Sequence, residues 1–193
     1  MLFTIIGMDD NIKKVVKTAE LAVSLGTDSI MFNRVNLGGR SVRDTGLYPD
    51  KKALSEALNG LNHISKRYGI MVHCGVPIPP CVVDPDDYPK ISFGRCPAGI
   101  DRSYFTVESS GDLRTCNHSP RKMINVLEDD FHEIFETKVW EDFVGTFPER
   151  CEGCRHLDSC KSSCRAAGYV ESGEWGSLDP FVKYLSNRPK DRS

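Results

Sequence analysis

All eight cysteines of this chain lie after residue 73, and half of them fall within one short stretch, Cys151-x2-Cys154-x5-Cys160-x3-Cys164. Thiols at that density fold as turns around a metal or as a crosslinked knuckle, not as a continuous helix or strand. Met1–Gly7 has neither the basic flank nor the long apolar core of an export signal. The thiols are therefore expected in a reducing, cytoplasmic setting, where clustered cysteines serve as metal or redox ligands more than as disulfides. The other four are Cys74, Cys81, Cys96 and Cys116, so the chain divides near residue 75 into a cysteine-free part and a cysteine-rich part.

The first part alternates strands and helices. Leu2–Gly7 is an apolar run of strand length, and Asp9 or Asp10 can cap a helix from about Asn11. Ile12, Val15, Val16, Ala19, Ala22 and Val23 fall on one helical face, and Gly26 ends it. Ser29–Phe32 reads as a second buried strand, followed by a glycine-rich loop through Asn36–Arg40. Asp50 caps a second helix with Leu54, Leu58, Leu61, Ile64 and Tyr68 inward, Gly69 stops it, and Ile70–Cys74 is a third strand. A β-α-β-α-β order implies parallel strands. Three parallel strands bury too little to stand alone, so the pattern predicts a section of a larger α/β sheet or barrel.

After Cys74 the texture changes. Pro77, Pro79, Pro80, Pro85 and Pro89 mark residues 76–95 as a linker. Tyr104–Val107 and Leu113–Cys116 flank Ser109–Asp112 as a β-hairpin. Phe131–Phe143 reads as one or two short amphipathic helices, with Phe131, Ile134, Phe135, Val139, Trp140 and Phe143 as core.

The four clustered thiols alone suit a closed zinc site or an iron–sulfur cluster equally. The pattern Cys96-x14-Gly111-x4-Cys116 adds two thiols across the hairpin, and six exceed what one tetrahedral ion needs.

Taken together, C-x14-G-x4-C and C-x2-C-x5-C-x3-C resemble the SPASM domain, the C-terminal extension of many radical S-adenosylmethionine enzymes. Cys96-Pro97-Ala98-Gly99, the hairpin Val107–Cys116 and Ile124–Asp129 ahead of Phe131–Phe135 agree with it. The resemblance covers residues 96–168 and extends, less specifically, over 1–74. It implies an α/β fold: the C-terminal fragment of a partial (β/α)6 barrel, then an irregular cysteine-rich iron–sulfur domain with a β-hairpin and short helices. The domain expectations are 1–75 barrel segment, 76–95 linker, 96–170 SPASM-like domain and 171–193 polar tail. One or two auxiliary 4Fe–4S clusters are implied, with Cys96, Cys116 and Cys164 matching ligands of the cluster nearer the barrel. Cys151, Cys154 and Cys160 match ligands of the distal one.

The sequence also departs from the family. No cysteine follows Cys164 and none lies between Cys96 and Gly111, so each set has three thiols; Cys81 or Cys74 are candidates for a fourth in the nearer set. The C-x3-C-x2-C triplet that holds the S-adenosylmethionine-cleaving cluster is absent. The chain alone is thus expected to be inactive toward that cofactor, which enters only in a full-length or assembled enzyme. An N-terminal radical half on the same or another chain is an expected partner, with an electron donor and a peptide, protein or small-molecule substrate. A zinc-binding structural module and a split enzyme are the alternatives.

Other residues carry weaker signals. Asn33, Arg34, Gly38 and Gly39 lie where a parallel sheet places its ligand loops and are candidate cofactor contacts. Cys74, ending an apolar strand, reads as a buried structural thiol. The histidines His63, His73, His118, His132 and His156 form no i,i+4 metal pair. Arg150, Arg155, Lys161 and Arg165 surround the knuckle, where their charge would offset that of thiolate-ligated clusters; a solvated basic face is the alternative. Lys and Arg total 25 against 27 Asp and Glu, which argues against nucleic acid as a partner. No apolar run approaches the roughly 20 residues that span a bilayer, which argues against a membrane one.

Overall fold

The computed structural model describes residues 1–97 and 103–186; Ala98 and Gly99 of the cysteine motif, and the end of the expected tail beyond 186, lie outside them. In chain order the elements are β1 (Leu2–Gly7), α1 (Val15–Ser24), β2 (Ser29–Arg34), α2 (Lys51–Tyr68), β3 (Met71–Cys74), β4 (Ile91–Phe93), β5 (Thr106–Val107), β6 (Asp112–Arg114), β7 (Lys122–Asn125), α3 (Lys138–Gly145), α4 (Leu157–Cys160), α5 (Arg165–Ser172) and α6 (Pro180–Ser186). They form two compact units. The first comprises Met1–Leu37, Arg43–Arg95 and the segment from Pro180; the second comprises Gly38–Val42 and Cys96–Asp179.

In the first unit β1, β2, β3 and β4 lie side by side in sequence order, and every pair is parallel. Alternation along the strands turns Ile5, Ile30, Phe32, Val72 and Cys74 to the buried face. Val15, Ala19 and Ala22 of α1 and Leu54, Leu58, Leu61 and Ile64 of α2 are buried with them. Each such leucine or isoleucine contributes about 1.5–3 kcal/mol by leaving water. On the other face Leu2, Ile6 and Met71 are exposed.

Helix α2 begins where Asp50 Oδ1 accepts the Ala53 N–H at 2.7 Å, and ends at Gly69, whose φ of 67° suits glycine. Tyr68, expected inward, is exposed, because it is the last residue of α2. The start of α1 also differs from expectation. Asn11, not Asp9 or Asp10, closes the turn: its Oδ1 accepts the Met8 N–H at 2.9 Å and its Nδ2 donates to the Ile6 carbonyl at 2.8 Å. A 3-10 turn, Ile12–Lys14, then leads into the helix.

Sequence reading did not find β4, which has three residues and follows closely on Pro85 and Pro89. It pairs with β3 through Val72–Ile91 and Cys74–Phe93. The stretch expected to be a polar tail contributes α6, with Phe181, Val182 and Leu185 buried.

The second unit holds an antiparallel sheet of order β5-β6-β7 and three short helices. Its apolar clusters are small: Leu113, Ile124 and Ile134 form one, Cys96 and Phe143 another. The hairpin is present, and β7 extends it. Phe131 and Phe135, expected as core, are 53% and 57% exposed. Phe131–Glu136 winds as a 3-10 helix, whose three residues per turn set Phe135 about a third of a turn away from Ile134; Phe131 opens the segment directly after its capping residue, Asp130. Ile134 alone of them is fully buried.

No helix among the described residues is long and apolar enough to cross a membrane.

Candidate metal centre

The hairpin of the second unit positions the first thiols. Gly111 takes φ 87° at its turn, and a Cβ there would come within 2.5 Å of Asn125 Oδ1. Asn125 fixes this turn from β7: its Nδ2 donates to the Ser110 carbonyl and to Asp112 Oδ1, both at 3.0 Å, and its Oδ1 accepts the Leu127 N–H at 3.0 Å. Strand β6 then runs out at Arg114, and the chain turns at Cys116–Ser119, where the Ser119 N–H reaches the Cys116 carbonyl at 3.3 Å. Burial raises the Cys116 thiol above its ordinary pKa, while N–H groups of His118 and Ser119 donating to the sulfur, and the charge of Arg114, work to lower it. A sulfur held by two backbone donors is suited to carrying thiolate charge.

Cys96 is buried against Phe143, with Trp140, Val144 and Trp175 packed around the pair. Cys164 caps α5 from outside, and its N–H donates to Asp179 Oδ2 at 2.9 Å. Three thiols, those of Cys116, Cys164 and Cys96, bear on one phenol. Tyr104 has its pKa raised by burial first and then by these three in that order. All three thiols therefore act electrostatically on one half-exposed side chain, Tyr104, which the sequence did not single out. Tyr104 also donates to Asn117 Oδ1 at 3.3 Å.

Arg165 is not part of a solvated basic face. It is buried, donates to the carbonyls of Phe143 and Thr146, and stacks 4.2 Å from the Phe147 ring. Burial lowers its pKa and the charge of Cys96 acts the other way, so a guanidinium lies within electrostatic reach of that thiol.

The remaining thiols follow each other through tight turns. The Cys154 N–H donates to the Cys151 carbonyl at 3.1 Å, and between them Gly153 takes φ 67°, which lets the two-residue spacing close. Cys160 ends α4, and Lys161, Ser162 and Ser163 all adopt positive φ (53°, 59° and 66°) before Cys164. Three consecutive left-handed residues other than glycine are costly, of order 1 kcal/mol or more each, and such strain concentrates at functional segments. Cys154 is exposed; Cys151 and Cys160 are partly covered.

The other candidates have structural employment. Asn33 and Arg34 belong to β2 itself rather than to a following loop. Asn33 Oδ1 accepts the N–H groups of Gly75 and Val76 at 2.9 Å each. Arg34 is buried, donates to the Pro77 carbonyl at 2.6 Å and stacks 4.5 Å from Phe181. Gly38 and Gly39 belong to the second unit, where Gly38 approaches His118 so closely that a Cβ would lie 3.0 Å from the ring. Cys81 is exposed in the first unit. Cys74 is buried in the same unit, and burial pushes its thiol up to about 12.

Among the described residues no three His, Cys, Asp or Glu side chains converge as they would on a single ion. Four thiolates on zinc close to about 2.3 Å from the metal, whereas a cluster places its own irons and sulfides between its ligands and spans a wider gap. The donor chemistry, thiols with N–H donors on Cys116 and the buried Arg165 cation within electrostatic reach of Cys96, fits a cluster.

No family model and no curated protein sequence matches the chain. Solved structures do. Native anSMEcpe with bound AdoMet aligns with TM-score 0.64 at 16% identity, over 95% of this chain and 52% of that one. The same enzyme with AdoMet and Kp18Cys peptide aligns at 0.65 and 16%, with equal coverage. Streptococcus suis SuiB aligns at 0.61 and 11%, over 92% of this chain and 44% of its own. These are SPASM-type radical S-adenosylmethionine enzymes, and the chain has the fold of a corresponding part of them. It spans about half the length of the structures it matches.

Proposed function

We propose that this chain is the cluster-bearing C-terminal portion of a SPASM-type radical S-adenosylmethionine enzyme, holding one or two auxiliary 4Fe–4S clusters. The observation that carries the reading is the fold shared with these enzymes, supported by the electrostatic effect of Cys96, Cys116 and Cys164 on the one side chain of Tyr104. A bound cluster accepts and passes on single electrons. The chain's own residues would hold it: Cys96, Cys116 and Cys164 as one ligand set, Cys151, Cys154 and Cys160 as the other. The His118 and Ser119 N–H groups would stabilise charge on Cys116, and Arg165 would offset charge near Cys96.

The first unit supports the same reading. Its four parallel strands are covered by α1 and α2 on one face and expose Leu2, Ile6 and Met71 on the other, as a section of a larger (β/α) barrel would. Further strands carrying C-x3-C-x2-C, on the same or another chain, would complete it, and without them the chain does not cleave the cofactor. A solved neighbour holds a bound peptide, which supports a peptide as substrate.

The test is anaerobic preparation with iron and sulfide. The expected protein is brown, absorbs broadly near about 400 nm as thiolate-ligated clusters do, and loses iron in Cys96→Ala, Cys116→Ala and Cys164→Ala. A colourless protein carrying stoichiometric zinc would overturn the proposal.

A further inference from the structure

The second unit displays a surface that cluster binding does not use. From Leu127 to Glu133 every side chain is exposed, and Phe135 and Glu136 continue the run. Leu127 is 78% exposed, and Phe131 and Phe135 are more than half exposed. The aromatic rings form a ledge: Phe135 lies 5.4 Å from Trp140 and 6.3 Å from Phe105, centroid to centroid. Asp130 Oδ1 accepts the His132 N–H at 2.9 Å, Thr137 caps α3, and Ile134 is buried beneath.

Around the rings acids outnumber bases, although Lys122, bonded to Asp112, lies within electrostatic reach of Glu128 and Asp129. Residues 127–142 contain Glu128, Asp129, Asp130, Glu133, Glu136, Glu141 and Asp142 against one lysine, Lys138. That lysine is already engaged by Asp142 at 2.6 Å and Glu141 at 3.4 Å. Glu128, Glu133 and Glu136 stand exposed beside the ledge.

Aromatic faces and carboxylates attract the same kind of group. A guanidinium or ammonium stacks on the ring quadrupole, worth about 0.5–1 kcal/mol at an exposed site, and pairs with the acids. A purely apolar partner would strip water from the carboxylates without replacing it. Phosphate backbones and anionic lipid would be repelled. We propose that this face, Leu127–Glu136 with Phe105 and Trp140, docks an arginine- or lysine-bearing segment of a protein partner, its cations over Phe131 and Phe135 and paired with Glu128, Glu133 and Glu136. The proposal stands apart from the cluster reading, since none of these residues is a thiol.

Fluorescence anisotropy with a labelled peptide of alternating arginine and leucine tests it on the full chain, beside a peptide of alternating glutamate and leucine. The arginine peptide binds and the glutamate peptide does not. Glu133→Gln with Glu136→Gln, which leaves the packing untouched, weakens the arginine peptide by about tenfold, as does Phe131→Ser with Phe135→Ser. Glu20→Lys, on exposed α1 of the first unit, leaves binding unchanged. Equal binding by wild type and both double variants, or equal weakening by Glu20→Lys, would overturn the assignment. A dimer in sedimentation that Phe131→Ser dissolves would instead assign the face to self-association and overturn the basic partner. Iron content of the variants stays at the wild-type level, which separates failure of this inference from failure of the cluster reading.

Discussion

At the scale of single residues, the thiols do opposite things according to where burial leaves them. Cys116 is partly buried and supplied with N–H donors, whereas burial is the one cause acting on the fully buried Cys74, and its proton stays on up to about 12. In the unfolded chain that thiol releases its proton near 9. The folded pKa is the higher one, so the contribution is intact below pH 9 and is lost between 9 and about 12, at roughly 1.4 kcal/mol per pH unit. Denaturation curves from pH 8 to 11 are expected to show a shallower alkaline loss in Cys74→Ala than in the parent; identical slopes would contradict the assignment. Gly111 makes a second case. Alanine there meets both φ 87° and the Asn125 amide pinned by three hydrogen bonds, so Gly111→Ala is expected to cost about 1–3 kcal/mol in urea unfolding. Glycine and aspartate at element ends were legible in the sequence, as Asp50 and Gly69 show, because their chemistry is local. Arg34, Asn125 and Arg165 were not, since their partners lie far along the chain.

Elements were legible in proportion to their length and periodicity. Helix α2 repeats its apolar residues long enough to declare a period, strands β1 to β3 stand out as apolar runs between turn signals, and the structure has all four elements. Strands β4 and β7 are three and four residues long, too short for alternation to show, and are held by their neighbours in the sheet. The apolar pattern at 131, 134 and 135 suits an α-helical face, whereas the 3-10 winding of Phe131–Glu136 sets Phe135 apart from Ile134 and leaves Phe131 exposed at the segment's start. The distinction is measurable. Ile134→Ala removes a fully buried side chain from the Leu113–Ile124 cluster and is expected to cost about 2–5 kcal/mol. Phe131→Ala, although the larger truncation, is expected to stay within about 0.5 kcal/mol because the ring already meets water. Equal losses in thermal unfolding would place both rings and chain in the core after all.

On the scale of the whole chain, the two units are unequally supplied with apolar core. The first buries a sheet face against two amphipathic helices and adds Phe181, Val182 and Leu185 from α6. Among its described residues the second has small clusters, Leu113–Ile124–Ile134 and Cys96–Phe143, short helices and no disulfide. Small irregular folds of that kind commonly depend on a staple, and the proposed cluster would be one. Binding free energy in such a unit would be folding free energy, so stripping that cluster is expected to act on the second unit only. After anaerobic loading and then chelation, amide exchange in β5, β6 and β7 and around Cys151–Cys164 is expected to accelerate by several orders of magnitude, reaching that of an unfolded segment. Protection in β2, β3 and α2 is expected to persist, because their hydrogen bonds rest on packed leucine and isoleucine. Uniform protection across both units after chelation would mean that the second unit folds on its own apolar contacts. The thiols would then be passengers in a structure that the sheet and aromatic clusters hold by themselves.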